Sequence, residues 1–289
     1  MEEIEEDEIL IVQNRDEKIK DLLHDILSGN KSLSYSSLKN FAESPEAFIQ
    51  YCLKEKKQTD AMLFGSIVHC LVLEPMKFSE RYFVLDDAQI VSEIGGGNPR
   101  ATKVYKEWKA IQLANNTGKE MVKPEVFRQA EAIANNVSNN RASRAVLARC
   151  NKFEIPIEWE YNNFKFRGFK DAEGKNCMFD LKTMKSAEPR KAQRDIIEMK
   201  YYLQAAMYLT GTVEKKPYYI IAVDKKGGVS VHKINDDLME YGLQEYKKLV
   251  DSFNDCLLRN HFNRSYDYWS QLENGIFICE RPAYLYKEQ

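Results

Sequence analysis

The sequence has no long apolar segment and no basic leader. No stretch approaches 18 uninterrupted apolar residues, so a membrane-spanning helix is not expected. The first ten residues carry six acidic and no basic side chains, whereas a signal or transit peptide is positively charged. We therefore expect a soluble, cytoplasmic protein without a membrane partner.

The cysteines are few and scattered. There is no CxxC motif and no paired Cys/His spacing, which argues against a disulfide framework, a zinc site and an iron–sulfur cluster. Reduced and mostly buried thiols are the simplest interpretation. The six cysteines are Cys52, Cys70, Cys150, Cys177, Cys256 and Cys279.

Neither sign of charge dominates the chain. The net charge is −2, and without the first ten residues there remain 42 basic and 38 acidic side chains. Because local clustering rather than net charge decides phosphate binding, this balance does not exclude nucleic acid as a partner. The hydrophobic content of 44% and the aromatic content of 11% are sufficient for a globular core.

The first half of the chain has mainly helical patterns. Ser34 or Ser36 is a candidate N-cap, and Pro45 opens a second short helix. The predicted elements are a short helix near 16–28, a buried apolar helix over 60–75, a loop over 92–103 and helix throughout 101–149. We divide the chain into an acidic flexible arm (1–30) and a single domain (31–289), made of a mainly helical part (31–150), an α/β core (151–262) and a C-terminal extension (263–289).

From residue 153 the hydrophobic period changes to two. Phe153, Ile155, Ile157 and Trp159 alternate with polar residues, and Asn162-Asn163 predicts a hairpin turn. The order of helices followed by β-β-β-α-β-β-α predicts an α/β (α+β) fold, with a central mixed sheet flanked by helices. After the hairpin we expect a strand over 177–183, a helix over 190–211, strands over 217–223 and 229–234, and a helix over 236–260.

The stretch "GFKDAEGKNCMFDLKT" contains charged residues in an apolar setting. Asp180 and Lys182, two apart on a strand, share a face, and a short turn can bring Asp171 on the preceding strand beside them. Converging carboxylates repel each other unless a cation lies between them, and oxygen ligands favour Mg²⁺ or Mn²⁺. The alternative is an edge-strand salt bridge with a solvated lysine.

Two predicted helices carry further candidates. Gln204 and Tyr208 form a QxxxY pattern on one face that also includes Ile197 and Tyr201. His69 lies inside the apolar helix, where it is either a satisfied core histidine, a metal ligand or a partner of a ligand.

These residues resemble a known pattern. "GFKD…FDLKT" resembles the D…(D/E)xK core of the PD-(D/E)XK nuclease superfamily, and "QAAMY" resembles the QxxxY motif of its RecB-like branch. "SYSSLKNFAESPEAF" and "FGSIVHCLVLEPMKFSERYFV" are similar to the exonuclease VIII (RecE) and phage exonuclease group. The resemblance runs from about residue 33 to about residue 270.

The resemblance implies a restriction-endonuclease-like core and a Mg²⁺-dependent 5′→3′ exonuclease. Such enzymes degrade linear duplex DNA to leave 3′ single strands for a RecT-type annealing partner, often as ring-shaped oligomers. The implied metal ligands are His69, Asp171, Asp180 and the carbonyl of Leu181, with Lys182 as the catalytic lysine and Gln204 and Tyr208 as the supporting motif. Lys170 stands where the family has a proline, and the cysteines of the iron–sulfur members are missing.

Other charged residues have two interpretations each. Glu74 and Glu154 are either outer-shell acids or ordinary surface charges. Arg100, Lys103, Arg190, Lys191 and Arg194 either contact DNA phosphates or belong to solvated helix faces. The intact set of Asp171, Asp180 and Lys182 favours an enzyme over a non-catalytic DNA-end-binding module, and an endonuclease of the same superfamily is the third possibility.

Overall fold

A computed structural model describes residues 2–55, 57–212, 214–270 and 274–279. None of the helices within these ranges combines the length and the hydropathy needed to span a bilayer. The α-helices are α1 (Glu2–Leu27), α2 (Tyr35–Glu43), α3 (Pro45–Leu53), α4 (Asp60–Leu73), α5 (Phe78–Arg81), α6 (Ala88–Ile94), α7 (Lys103–Asn115), α8 (Pro124–Asn139), α9 (Arg141–Leu147), α10 (Pro189–Glu198), α11 (Tyr201–Thr210) and α12 (Asp236–Arg259). The strands are β1 (Tyr82–Val84), β2 (Glu120–Val122), β3 (Lys152–Tyr161), β4 (Phe164–Glu173), β5 (Met178–Met184), β6 (Tyr218–Asp224) and β7 (Val229–Ile234).

The main sheet has five strands in the order β3-β4-β5-β6-β7. All neighbouring strands are antiparallel except β5 and β6, which are parallel. The α10–α11 segment makes the crossover between these two parallel strands, as a parallel pair requires. The predicted mixed sheet flanked by helices is therefore confirmed. A separate parallel pair, β1 and β2, was not predicted.

The β3–β4 hairpin follows from its turn residues. Asn162 and Asn163 both adopt positive φ angles, 49° and 64°, which a two-residue hairpin of the favoured hand needs. On the inner face of the hairpin, the rings of Trp159 and Phe166 stack at 5.5 Å between centroids. This aromatic pair anchors the long hairpin to the rest of the core.

Strands β5 and β6 are buried on both faces, which explains their nearly continuous apolar sequences. Phe179 and Leu181 face a cluster formed with α4 and α8. Met178 and Met184 face the other cluster, formed with α2, α11 and α12. The centre of the sheet is thus fixed between two helical layers, and a polar side chain on β5 must find a partner within them.

The N-terminal helices begin where the sequence predicts caps. Ser34 and Ser37 form a reciprocal capping box for α2, and Ser44 caps α3 with Pro45 in its first turn. Helix α1 is longer than the predicted helix over 16–28, and its last turns bury Leu22 in the core. The division into an arm and a domain stays a prediction.

Three other predicted elements differ from the structure. The helix over 190–211 is two helices, because Lys200 adopts a left-handed conformation with φ 56° between α10 and α11. Strand β2 interrupts the helical region 101–149, where its three residues pair with β1. The loop over 92–103 is shorter than predicted, since α6 continues to Ile94 and a 3₁₀ turn covers Pro99–Ala101.

Gly174, in the turn between β4 and β5, packs directly against the backbone of Arg149. A Cβ at this position would overlap the Arg149 carbonyl, and the main chain cannot rotate away as a side chain can. We expect Gly174→Ala to destabilise the protein by about 3 kcal/mol in thermal or urea unfolding. Gly97→Ala is the matched control, because its Cβ would meet nothing within 4 Å. Equal stability of the two variants would contradict this packing.

Candidate metal-binding and catalytic site

Strand β5 carries a buried ion pair. Asp180 is only 1% exposed, and its Oδ2 is paired with the Lys182 ammonium two residues on. The alternation along the strand places both side chains on the face opposite Leu181. The Lys182 side chain is 21% exposed, so this pair is not the solvated salt bridge of an edge strand.

Helix α11 supplies the hydrogen bonds to Asp180. Gln204 Nε2 donates to Asp180 Oδ1 and to the Tyr208 hydroxyl, each at 3.1 Å. All three groups are buried, so the amide holds the carboxylate in one orientation. Ile197 does not share this face as predicted, because it lies on α10 beyond the helix break and is 44% exposed.

Two tyrosines complete the surroundings of Lys182. The Lys182 nitrogen lies 4.9 Å from the centroid of the Tyr201 ring, at the first residue of α11. The Tyr35 hydroxyl donates to the backbone carbonyl of Met199 in the elbow between α10 and α11. Tyr35 is not among the predicted site residues, although it lies within the "SYSSLKNF" block that carries the resemblance.

The side chain of Asp171, on β4, bridges to the main chain of β5. The β4–β5 ladder ends at the Ala172–Phe179 pair, and beyond it Asp171 Oδ2 accepts the backbone N–H of Leu181 at 2.6 Å. The carboxylate therefore takes the place of a main-chain acceptor where the strands separate. This arrangement brings Asp171 next to Asp180, as the short turn predicts.

His69 and Glu154 approach the same point from α4 and β3. His69 Nε2 lies 2.7 Å from the Leu181 carbonyl oxygen, and its Nδ1 lies 3.6 Å from Asp171 Oδ2 and 3.8 Å from Glu154 Oε1. The β3–β4 register places Glu154 opposite Asp171. Glu154 has a positive φ of 50°, a costly conformation for a residue other than glycine.

The pKa values reflect this crowding of charge. Burial raises the pKa of Asp171, Asp180 raises it further, and His69, Lys182 and the Leu181 N–H hold it to about 7. Burial lowers the pKa of His69, but Asp171, Glu154 and Asp180 together raise it to about 9. Both pKa values are raised, which means that His69 and Asp171 hold protons more tightly than usual. Additional positive charge is therefore favourable at this place.

The group fits a divalent cation. One ligand atom each from His69, Glu154 and Asp171 lies within 4.8 Å of the others. His69 Nε2 lies 2.7 Å from the Leu181 carbonyl oxygen, and the other ring nitrogen, Nδ1, faces the two carboxylates. The carboxylate and carbonyl oxygens of this group are donors that suit Mg²⁺ or Mn²⁺.

Glu74 and Lys170 lie elsewhere. Glu74 ends α4 in ion pairs with Lys77 and Arg81, so it serves that helix end and not the cation-binding group. Lys170 is buried and pairs with Glu173 at 2.5 Å. The lysine in the place of the family's proline is therefore neutralised within its own strand.

The basic candidates for DNA contact differ in their surroundings. Arg100 donates to both oxygens of Asp87 at 2.7 and 3.0 Å, and Lys103 lies 3.6 Å from Glu107. The Arg100 guanidinium is therefore held by an acid, whereas Lys103 forms only an exposed pair that water screens. The other three candidates, Arg190, Lys191 and Arg194, are all exposed on α10, the helix that leads to the α10–α11 elbow.

Gln204→Leu is expected to reduce the DNA hydrolysis that the resemblance implies by about 10- to 100-fold. The change removes the amide that orients Asp180 while keeping the helix and a similar volume. The measurement is the steady-state rate of hydrolysis of linear duplex DNA, the substrate that the resemblance implies, with Gln89→Leu on the exposed side of α6 as the control. Full activity of the Gln204→Leu protein would show that Asp180 needs no such support.

Comparison with solved structures agrees with this fold. A protein from Eubacterium rectale, described as a "putative exonuclease", is 18% identical, with a TM-score of 0.52 over 88% of this chain and 91% of that chain. At this identity the likeness shows the fold alone. The structure of SSO0001 is 13% identical over 65% of this chain and 86% of that chain. Its TM-score of 0.28 is too low to support a shared fold. No protein with a curated description matches.

A protein family covers most of the chain. Its description is "PDDEXK-like domain of unknown function", and it matches residues 34–265. This range contains β3 to β7 and the helices that carry His69, Gln204 and Tyr208. The chain belongs to this family of PDDEXK-like domains (DUF3799), within the PD-(D/E)XK nuclease superfamily.

Proposed function

We propose that this protein is a Mg²⁺-dependent exonuclease that degrades linear duplex DNA from 5′ to 3′ and leaves 3′ single strands for recombination by strand annealing. The observation that carries the proposal is the buried Asp180–Lys182 pair beside the His69, Glu154 and Asp171 group. A domain that only binds DNA has no need of a buried carboxylate pair next to a lysine. The family match supports a nuclease, and the neighbour described as a "putative exonuclease" has the same fold.

The residues have distinct roles in the proposed reaction. His69, Asp171, Asp180 and the carbonyl of Leu181 would hold the cation, and Glu154 joins them as a ligand or as an acceptor for a bound water. A divalent cation at this place supplies Lewis acidity that activates water and neutralises charge on the phosphate. Mn²⁺ is the alternative ion.

Lys182 acts on the phosphate. Its ammonium is held by Asp180 and by the Tyr201 ring, so it is positioned before substrate arrives. Hydrolysis joins a water oxygen to phosphorus and breaks the bond to the 3′ oxygen; the water loses a proton and the 3′ oxygen gains one. The ammonium stabilises the negative charge that develops on the phosphoryl oxygens.

The polarity and the partners come from the resemblance. A 5′→3′ direction, a RecT-type annealing protein and a ring-shaped oligomer are properties of the exonuclease VIII-like group. Exposed basic side chains on α10 are the best candidates for sequence-independent phosphate contacts. Such contacts predict that binding weakens steeply with salt.

The test compares linear with closed circular duplex DNA, labelled at either the 5′ or the 3′ end of the linear form. With Mg²⁺ present, we expect the linear form alone to be degraded, with immediate release of the 5′ label and retention of the 3′ label. Cutting of the circular form would indicate an endonuclease. Binding of ends without hydrolysis would indicate a non-catalytic module.

A further inference from the structure

Helix α2 presents a lysine to the α10–α11 elbow. Lys39 is partly buried, and its nitrogen donates to the Met199 sulfur at 3.5 Å. One turn earlier, the Tyr35 hydroxyl donates to the Met199 carbonyl. Both contacts attach α2 to Met199, just before the start of α11. Helix α11 carries Gln204, which donates to Asp180. Lys39 therefore lies at the border of the proposed catalytic site.

Within the described residues, no carboxylate lies at ion-pair distance from Lys39. A thioether is a weak hydrogen-bond acceptor and leaves the ammonium poorly satisfied. The acid one turn further on, Glu43, accepts a hydrogen bond from the Tyr266 hydroxyl at 3.2 Å instead. Other lysines around the site do have carboxylate partners: Lys182 with Asp180, Lys200 with Glu245, and Lys170 and Lys216 with Glu173.

Partial burial makes the position of Lys39 unfavourable for a cation. Burial lowers its pKa; the Glu43 carboxylate raises it, and the Lys182 ammonium lowers it by less than Glu43 raises it. Because the Lys39 and Lys182 ammonium groups repel each other and no carboxylate pairs directly with Lys39, an anion close to both would be favourable. The proposed substrate brings a row of such anions to Lys182.

We infer that Lys39 binds a backbone phosphate of the DNA strand, adjacent to the phosphate that is cut. The inference rests on the proposed function and adds a substrate contact on α2. A lysine ammonium is a flexible point charge that suits a single phosphate oxygen and does not read the base sequence. The contact would position the strand so that the scissile phosphate reaches Lys182.

The experiment measures DNA binding without cleavage. Asp180→Asn protein, with and without the additional change Lys39→Met, is titrated against a fluorescent linear duplex at several salt concentrations with Mg²⁺ present. Methionine keeps the length of the side chain and removes its charge. We expect Lys39→Met to raise the Kd roughly tenfold and to lower the slope of log K against log salt by about 0.9. Lys39→Arg should retain most of the affinity.

The control is Lys54→Met in the same background, at the exposed end of α3. An unchanged Kd and slope for Lys39→Met would overturn the inference, as would an equal loss for Lys54→Met. Both results leave the proposed function standing, provided that the Asp180→Asn protein binds the duplex. Absence of any binding by that protein would overturn the proposed function together with the inference.

Discussion

Lys182→Met and Asp180→Asn are each expected to lower the rate of duplex hydrolysis by about a hundred- to a thousandfold. Lys182→Met removes the ammonium that faces the phosphate. Asp180→Asn removes the carboxylate that holds the ammonium and that we propose as a metal ligand. The measurement is the single-turnover rate on linear DNA at saturating Mg²⁺.

The Lys182→Met and Asp180→Asn proteins should differ in their free energy of unfolding. Lys182→Met leaves the Asp180 carboxylate, 1% exposed, without its cation, and an unpaired buried charge costs about 3–5 kcal/mol. Asp180→Asn removes that charge and leaves a lysine that still reaches water, so its cost is smaller. The double variant should recover stability but not activity.

This difference separates catalysis from folding. If the double variant regains the melting temperature and remains inactive, the loss of rate is not a loss of structure. Wild-type activity in either single variant would contradict the assignment of the pair to the reaction.

Added Mg²⁺ or Mn²⁺ is expected to raise the melting temperature. The cation relieves repulsion between Asp171 and Asp180, which burial makes costly in the metal-free protein. A ligand at 100 times its Kd stabilises the folded state by about 2.7 kcal/mol, which corresponds to about 5 °C for a chain of this size. The measurement is thermal unfolding in chelator and in a series of metal concentrations.

Variants of the cation-binding group test the origin of this shift. Asp171→Asn and Glu154→Gln should reduce or abolish the response to metal. Glu158→Gln, exposed on the same strand as Glu154, should keep it in full. A metal response that persists in both Asp171→Asn and Glu154→Gln would place the ion elsewhere.

The central strands were predictable because their hydrophobic alternation and their turn residues are visible in short segments of the sequence. Alternation along β5 places Asp180 and Lys182 on one face, and the Asn162-Asn163 turn fixes the register of the hairpin. Strong hydrophobic periods and turn residues suffice for such elements. The fold class followed from their order.

Other parts of the site depend on contacts between distant segments. From the sequence, Glu154 is either an outer-shell acid or an ordinary surface charge, because only the β3–β4 register and the approach of α4 place it beside Asp171. The break at Lys200 has no glycine or proline to predict it. The two short strands β1 and β2 have three residues each, too few for a periodic pattern.

Anomalous diffraction from crystals soaked in Mn²⁺ tests the central claim most directly, because it locates the cation without reference to activity. We predict a peak within bonding distance of His69, Asp171 and the Leu181 carbonyl, next to Glu154 and Asp180. A fully soaked crystal with no peak at this place, or with a peak only at another site, would contradict the account.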